Sequence, residues 1–165
     1  MSTKLGYKTT LENNQEIKAL KIGIVKAKWN SEITNAVEQG AVETLKKYQV
    51  QEITLLEVPG SIELTFGAKK MILNSNLDAV IVLGCIIQGE TRHFDFVAKS
   101  ITDGITQLNL NYNVPVIFGV LTTNTQQQAL DRAGGKYGNK GAEAAETAIE
   151  MALINRRFMK RVKRL

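Results

Sequence analysis

The residues best suited to chemistry fall in one run, Gly84-Cys85-Ile86-Ile87-Gln88-Gly89-Glu90-Thr91-Arg92-His93-Phe94-Asp95. An apolar segment breaks at Gly89 and restarts as a helical pattern. That predicts a buried strand opening onto a helix N-terminus, where unpaired backbone N–H groups can receive an anion. His93, the single histidine, falls in this turn, and imidazole is the side chain whose ordinary pKa lies near neutrality. An anion site and a general acid/base are therefore expected side by side, against the plainer alternative of a surface or capping histidine. Cys85 lies within the apolar run, where a packing role competes with that of a reactive thiol.

Further candidates are spread along the chain. Trp29, the single tryptophan, sits between Lys28 and Asn30 and suits either a ring stacked on a flat heterocycle or a partly buried core position. Glu63 follows Ser61-Ile62 at a helix start; it could accept hydrogen bonds from ligand hydroxyls or simply favour the helix dipole. Arg132 and Lys140 flank a Gly-rich turn, where they could bond phosphate or stand as solvated helix ends. Several chemistries lack material. There is no Gly-x-Ser-x-Gly elbow to make a triad of His93 and Asp95. One His and one Cys give a metal site little to work with. Neither a Walker loop nor a Gly-x-Gly-x-x-Gly fingerprint occurs.

The elements that must position these residues alternate. Leu20 to Ala27 is a short β-branched run and predicts a first strand, followed by a helix that Ser31 can cap, running to Lys46-Lys47-Tyr48. Ile53 to Val58 predicts a second strand, stopped by Pro59-Gly60 before a helical pattern from Ser61 to about Leu73. Ala79 to Ile87 is almost wholly apolar, as for a strand covered on both faces of a parallel sheet. His93 to Leu108 carries one apolar stripe, Val114 to Leu121 predicts a fourth strand, and Gln126 to Ala133 a short helix. The glycines of Gly134 to Gly141 favour an irregular turn before a long helix from Ala142 to Met159. The expectation is a three-layer α/β fold, a four-stranded parallel sheet with helices on both faces and flavodoxin-like topology. In such sheets ligands bind beyond the carboxyl ends of the strands, where Trp29, Gly60 to Glu63, Gln88 to His93 and Thr122 to Asn124 all fall.

At 165 residues the chain fits one domain, expected over residues 20–159, with a flexible leader over 1–19 and a basic tail over 160–165. No apolar run approaches the ~20 residues that span a bilayer, the first fifteen residues lack a secretory core, and a lone cysteine suits a reducing compartment. A cytoplasmic location without membrane association is expected. The net charge of +5 is moderate. Much of it comes from the chain end, which favours a solvated helix end over a nucleic-acid surface.

Taken in order and spacing, Lys28-Trp29-Asn30, Val58-Pro59-Gly60-Ser61-Ile62-Glu63, Gly84 to Asp95, and Ala133-Gly134-Gly135-Lys136-Tyr137-Gly138-Asn139-Lys140-Gly141 resemble the 6,7-dimethyl-8-ribityllumazine synthase family, from about residue 20 to 155. The resemblance implies condensation of 5-amino-6-(ribitylamino)uracil with 3,4-dihydroxy-2-butanone 4-phosphate in riboflavin biosynthesis, with release of phosphate and water and no metal or organic cofactor. It implies that Trp29 stacks on the pyrimidine and that Ser61, Ile62 and Glu63 hold the ribityl chain. Cys85, Ile86 and Ile87 would offer backbone groups to the uracil edge, Glu90 and Thr91 would line a phosphate site with Arg132 as its clamp, and His93 would donate a proton. Phe118 would come from a neighbouring subunit, with Lys140 as a helper. A homopentamer is implied, along with a possible sixty-subunit shell and association with riboflavin synthase.

Two positions depart from the family pattern. Lys28 stands where Arg is frequent and Gln88 where a basic residue is common, and both changes reduce local positive charge or bidentate capacity. The rival readings are an archaeal-type riboflavin synthase of related fold, a lumazine or flavin carrier without catalysis, and a nucleic-acid binder using the basic tail.

Overall fold

The computed structural model describes residues 11–12 and 14–162, with side chains to residue 160. Four strands, β1 (Lys21–Ala27), β2 (Glu52–Val58), β3 (Ala79–Ile87) and β4 (Val116–Thr123), form one sheet in the order β2-β1-β3-β4, every pair parallel. Parallel neighbours need crossovers. These are α2 (Ser31–Lys47), α3 (Leu64–Asn74) and α4 (His93–Asn111), after which α5 (Gln126–Arg132) and α6 (Lys140–Val162) complete the layers. The result is the expected three-layer α/β fold.

Alternation along each strand divides the core in two. Ile22, Ile24, Ile81 and Leu83 pack toward α2 and α6, while Val25, Val80 and Val82 pack toward α3 and α4. A strand covered on both faces has little room for polar side chains, and β3 is accordingly an uninterrupted apolar run. Where α2 and α6 meet, Asn139 accepts from the N–H groups of Gly141 and Ala142 (2.8 and 3.2 Å) and donates to the Ala36 carbonyl at 2.8 Å. It thereby caps α6 while fastening it to α2; a Cβ at Gly40 would overlap this side chain.

The packed chain begins before Leu20. A short helix, α1 (Gln15–Lys18), is capped by Asn14 and buries Ile17 completely, so the leader expected to reach residue 19 gives way to packed structure at residue 15. Residues 1–10 of that leader lie outside the described residues. At the amino end of the sheet, Arg156 on α6 donates to both oxygens of Asp78 (2.6 and 2.7 Å) and to the Ala19 carbonyl at 2.8 Å. Asp78 also accepts from the Lys21 N–H at 2.8 Å, and so three chain segments meet on one ion pair.

The other differences from the sequence expectation are local. α3 begins at Leu64, because Ser61-Ile62-Glu63 forms the turn leading into it. The Gly-rich turn contains a small antiparallel pair, β5 (Ala133–Gly135) and β6 (Gly138–Asn139), made possible by positive φ at Gly134 and Gly138. α6 runs on to Val162 through the start of the expected basic tail, whose residues 163–165 lie outside the described part. α2 is preceded by Asn30 in the left-handed conformation, with no side-chain cap, where Ser31 was expected to cap.

Candidate active site

The strands end at two heights at the carboxyl edge, β1 level with β2 and β3 level with β4, and the mismatch between the two pairs opens a site. Pairing of β1 with β3 stops at Lys26↔Leu83, whereas β3 continues beside β4 as far as Ile87↔Thr123. Residues 84 to 87 of β3 therefore have a neighbour on one side only. The N–H of Gln88 points to β4, bonding the Thr123 carbonyl at 2.8 Å, so by alternation the backbone groups of Cys85 and Ile87 point to the open side. Asn30 fills part of that opening, its amide donating to the Cys85 carbonyl at 2.8 Å. The backbone groups of Ile87 remain available to a planar hydrogen-bonding ligand.

A cleft of about 390 Å³ lies over this open edge, lined by Trp29, Asn30, Gly60, Ser61, Ile62, Glu63, Cys85, Ile86, Ile87, His93 and Val97. Seven of the residues singled out in the sequence thus share one cavity with His93. Trp29 is 74% exposed, which overturns the partly buried alternative and leaves its ring as a wall of the cleft. Ser61 is buried, with its hydroxyl against β3 at Gly84, where a Cβ would come within 3.0 Å of both Ser61 Oγ and Leu64 Cδ1. Gly84 lets the turn between β2 and α3 settle onto the sheet. The Glu63 carboxylate turns back over Gly60 and has no hydrogen-bond or ion-pair partner among the described residues.

Burial pushes the Cys85 thiol up from 9.0 to about 11, so it is protonated and a poor nucleophile at neutral pH. This favours the packing role. The imidazole of His93 faces the cleft and makes no hydrogen bond within the chain among the described residues, which leaves both ring nitrogens free. Asp95 instead lies 3.9 Å from Arg92, and no triad forms.

The loop before α4 supplies donors. Arg92 precedes the helix without a side-chain cap, and the His93 N–H has only a 3.4 Å contact with the Thr91 hydroxyl. Gly89, Glu90 and Thr91 are exposed beside the cleft but do not line it. Gln88 folds its amide onto the Gly89 carbonyl at 2.9 Å.

Arg132, Lys140 and Phe118 stand apart. Arg132 donates to both oxygens of Glu143 (2.7 and 2.8 Å) and to the Tyr137 carbonyl at 2.6 Å, with Lys140 3.5 Å from Glu143. The hydrogen bond from Arg132 holds the Glu143 carboxyl below its ordinary value. Phe118 packs half-buried against the α3/α4 core. Thr122 to Asn124, at the end of β4, also lie outside the cleft, which draws on three strand ends rather than the four expected. Asn30 and Val97 are lining residues that the sequence did not single out. Asn30 alone had a usable signal, an Asn tolerant of left-handed backbone between a strand and a helix start.

Among the described residues, no helix is long and apolar enough to cross a membrane and no cluster of three or more His, Cys, Asp or Glu could hold a metal ion. The chain matches the family model described as 6,7-dimethyl-8-ribityllumazine synthase over residues 19–156. A 6,7-dimethyl-8-ribityllumazine synthase of Parabacteroides distasonis is 58% identical over 134 residues, covering 80% of this chain and 84% of the relative. One from Bacteroides fragilis is 55% identical over 134 residues, covering 80% and 94%, and one from Cytophaga hutchinsonii is 55% identical over 131 residues, covering 78% and 82%. With the cleft, its tryptophan and its histidine in the order the motifs require, this chain belongs to the 6,7-dimethyl-8-ribityllumazine synthase family.

Proposed function

We propose that this chain condenses 5-amino-6-(ribitylamino)uracil with 3,4-dihydroxy-2-butanone 4-phosphate in the cleft beyond β1, β2 and β3. The observation that carries it is one cavity lined by an exposed tryptophan, an open strand edge and an unpaired histidine. Trp29 stacks on the pyrimidine, whose edge bonds the backbone of Cys85, Ile86 and Ile87, while Ser61, Ile62 and the unpaired Glu63 carboxylate hold the ribityl hydroxyls. Glu90 and Thr91, before the uncapped start of α4, receive the phosphate. The ring amine attacks the ketone carbon, water leaves to give the imine, phosphate is eliminated, and ring closure expels a second water. His93 moves protons in these steps near pH 7, and alignment of two substrates supplies much of the rate.

Arg132, Lys140 and Phe118 do not line the cleft of their own chain, which suits their supply to a neighbouring subunit's site in a homopentamer or a larger shell. Exposed Phe66 and Leu73 on α3, with Phe96 and Leu110 on α4, offer apolar surface for such assembly. A cytoplasmic enzyme that works beside riboflavin synthase is consistent with this chemistry.

Mixing the purified protein with both substrates should give lumazine absorbance and phosphate in equal amounts, and light scattering should report a multiple of five chains. Product no faster than the spontaneous reaction would remove the assignment and leave a carrier role.

A further inference from the structure

We propose that Lys26, which is not part of the cleft, is a positioning residue for its pyrimidine half: its ammonium staples together the two turns that carry Trp29–Asn30 and Gly60–Glu63. Lys26 is a charged residue on a central strand and only 8% exposed. Its Nζ donates to Asn35 at 2.7 Å and lies 2.6 Å from Glu38 and 2.9 Å from Glu57. These three partners use all three N–H groups of the ammonium, leaving none for a ligand. Its role is therefore exerted through what it holds.

Each partner lies on an element that adjoins a turn of the cleft. Asn35 and Glu38 are on the first half of α2, so the contacts from Lys26 bracket the intervening segment with Lys28, Trp29 and Asn30. Glu57 is the in-register partner of Lys26 on β2. It precedes Val58, whose carbonyl accepts from the Lys28 N–H at 2.9 Å, and then the Pro59-Gly60-Ser61 turn. Burial alone would lower the ammonium's pKa, but the bonds and charges of Glu38 and Glu57 outweigh it and raise the value, so the staple is charged at neutral pH. Without the cation, two carboxylates would face each other across the gap between α2 and β2, driving apart the elements that aim the two walls. Lys21–Glu52 is a built-in control: a 2.7 Å pair at the opposite end of the same two strands, with both side chains well exposed.

The kinetic arm rests on the proposed condensation; the fluorescence arm does not. Lys26→Met should raise KM for 5-amino-6-(ribitylamino)uracil about tenfold while KM for the ketose phosphate stays within about twofold, as expected for misaligned binding walls. Glu38→Ala removes the ion pair to α2 and leaves only the Asn35 bond on that side, which loosens the staple while the ammonium stays paired with Glu57, and it carries the test if Lys26→Met does not fold. The fluorescence anisotropy of Trp29 should fall in both variants, and Lys21→Met should change neither readout. Folded variants with unchanged KM and anisotropy, equal rises in both KM values, or the same change in Lys21→Met would overturn the role of Lys26. An inactive wild type would instead remove the condensation, leaving anisotropy to decide the staple.

Discussion

The thiol of Cys85 permits a quantitative test of its structural role. Burial at 2% exposure pushes it from the ordinary 9.0 up to about 11. Below about pH 8 the thiol is protonated in both folded and unfolded chains and contributes almost no pH dependence. As pH rises, the unfolded thiol loses its proton first, which favours unfolding until the folded thiol also ionises. The loss is about 1.4 kcal/mol at about pH 10 and approaches about 2.7 kcal/mol above about pH 11. Other groups titrate in this range, so the useful quantity is the difference between wild type and Cys85→Ala in urea unfolding at neutral pH and at pH 10. The variant should lack this component while keeping activity, because the proposed site uses only the backbone of residue 85. Parallel pH dependences, or alkylation of the native thiol at the rate of a free cysteine, would show that Cys85 is neither buried nor inert.

His93→Ala should lower kcat by up to about 10²–10⁴-fold without abolishing turnover, since substrate alignment survives the loss of the proton carrier; a wild-type rate would exclude His93 from the mechanism. Trp29→Ala should raise KM for the pyrimidine about 5- to 150-fold, the equivalent of about 1–3 kcal/mol of stacking, and spare KM for the ketose phosphate. Asp78→Ala deprives Arg156 of two of its three bonds and leaves the Lys21 N–H without its partner, at an expected cost of about 2–4 kcal/mol in urea unfolding. A loss below about 0.5 kcal/mol would mean the ion pair is too well solvated to lock the sheet.

The fold was legible because its signals are local. The unbroken apolar run of Ala79 to Ile87 marks a strand covered on both faces, and the stripe from Phe94 to Leu108 marks α4. The layers follow from alternation, and placement of Trp29, Ser61 to Glu63 and His93 at one edge follows from the parallel order. What stayed hidden depends on partners distant in sequence. Lys26 is one charge among many until folding brings Glu38 and Glu57 to it. Asn139 gives no sign that it will cap one helix and bond another. The sequence marks Arg132 as a phosphate ligand equally well whether or not Glu143 occupies its guanidinium. Asn30 does not cap α2 with its side chain, which instead bonds the open edge of β3.

The pyrimidine is proposed to lie against Trp29 in the cleft beyond β1, β2 and β3. Because this is the chain's only tryptophan, titration of its fluorescence with 5-amino-6-(ribitylamino)uracil reads that contact alone. Saturable quenching is expected, with a midpoint close to the KM of the same substrate. Emission that stays constant at concentrations that saturate turnover would place the reaction elsewhere.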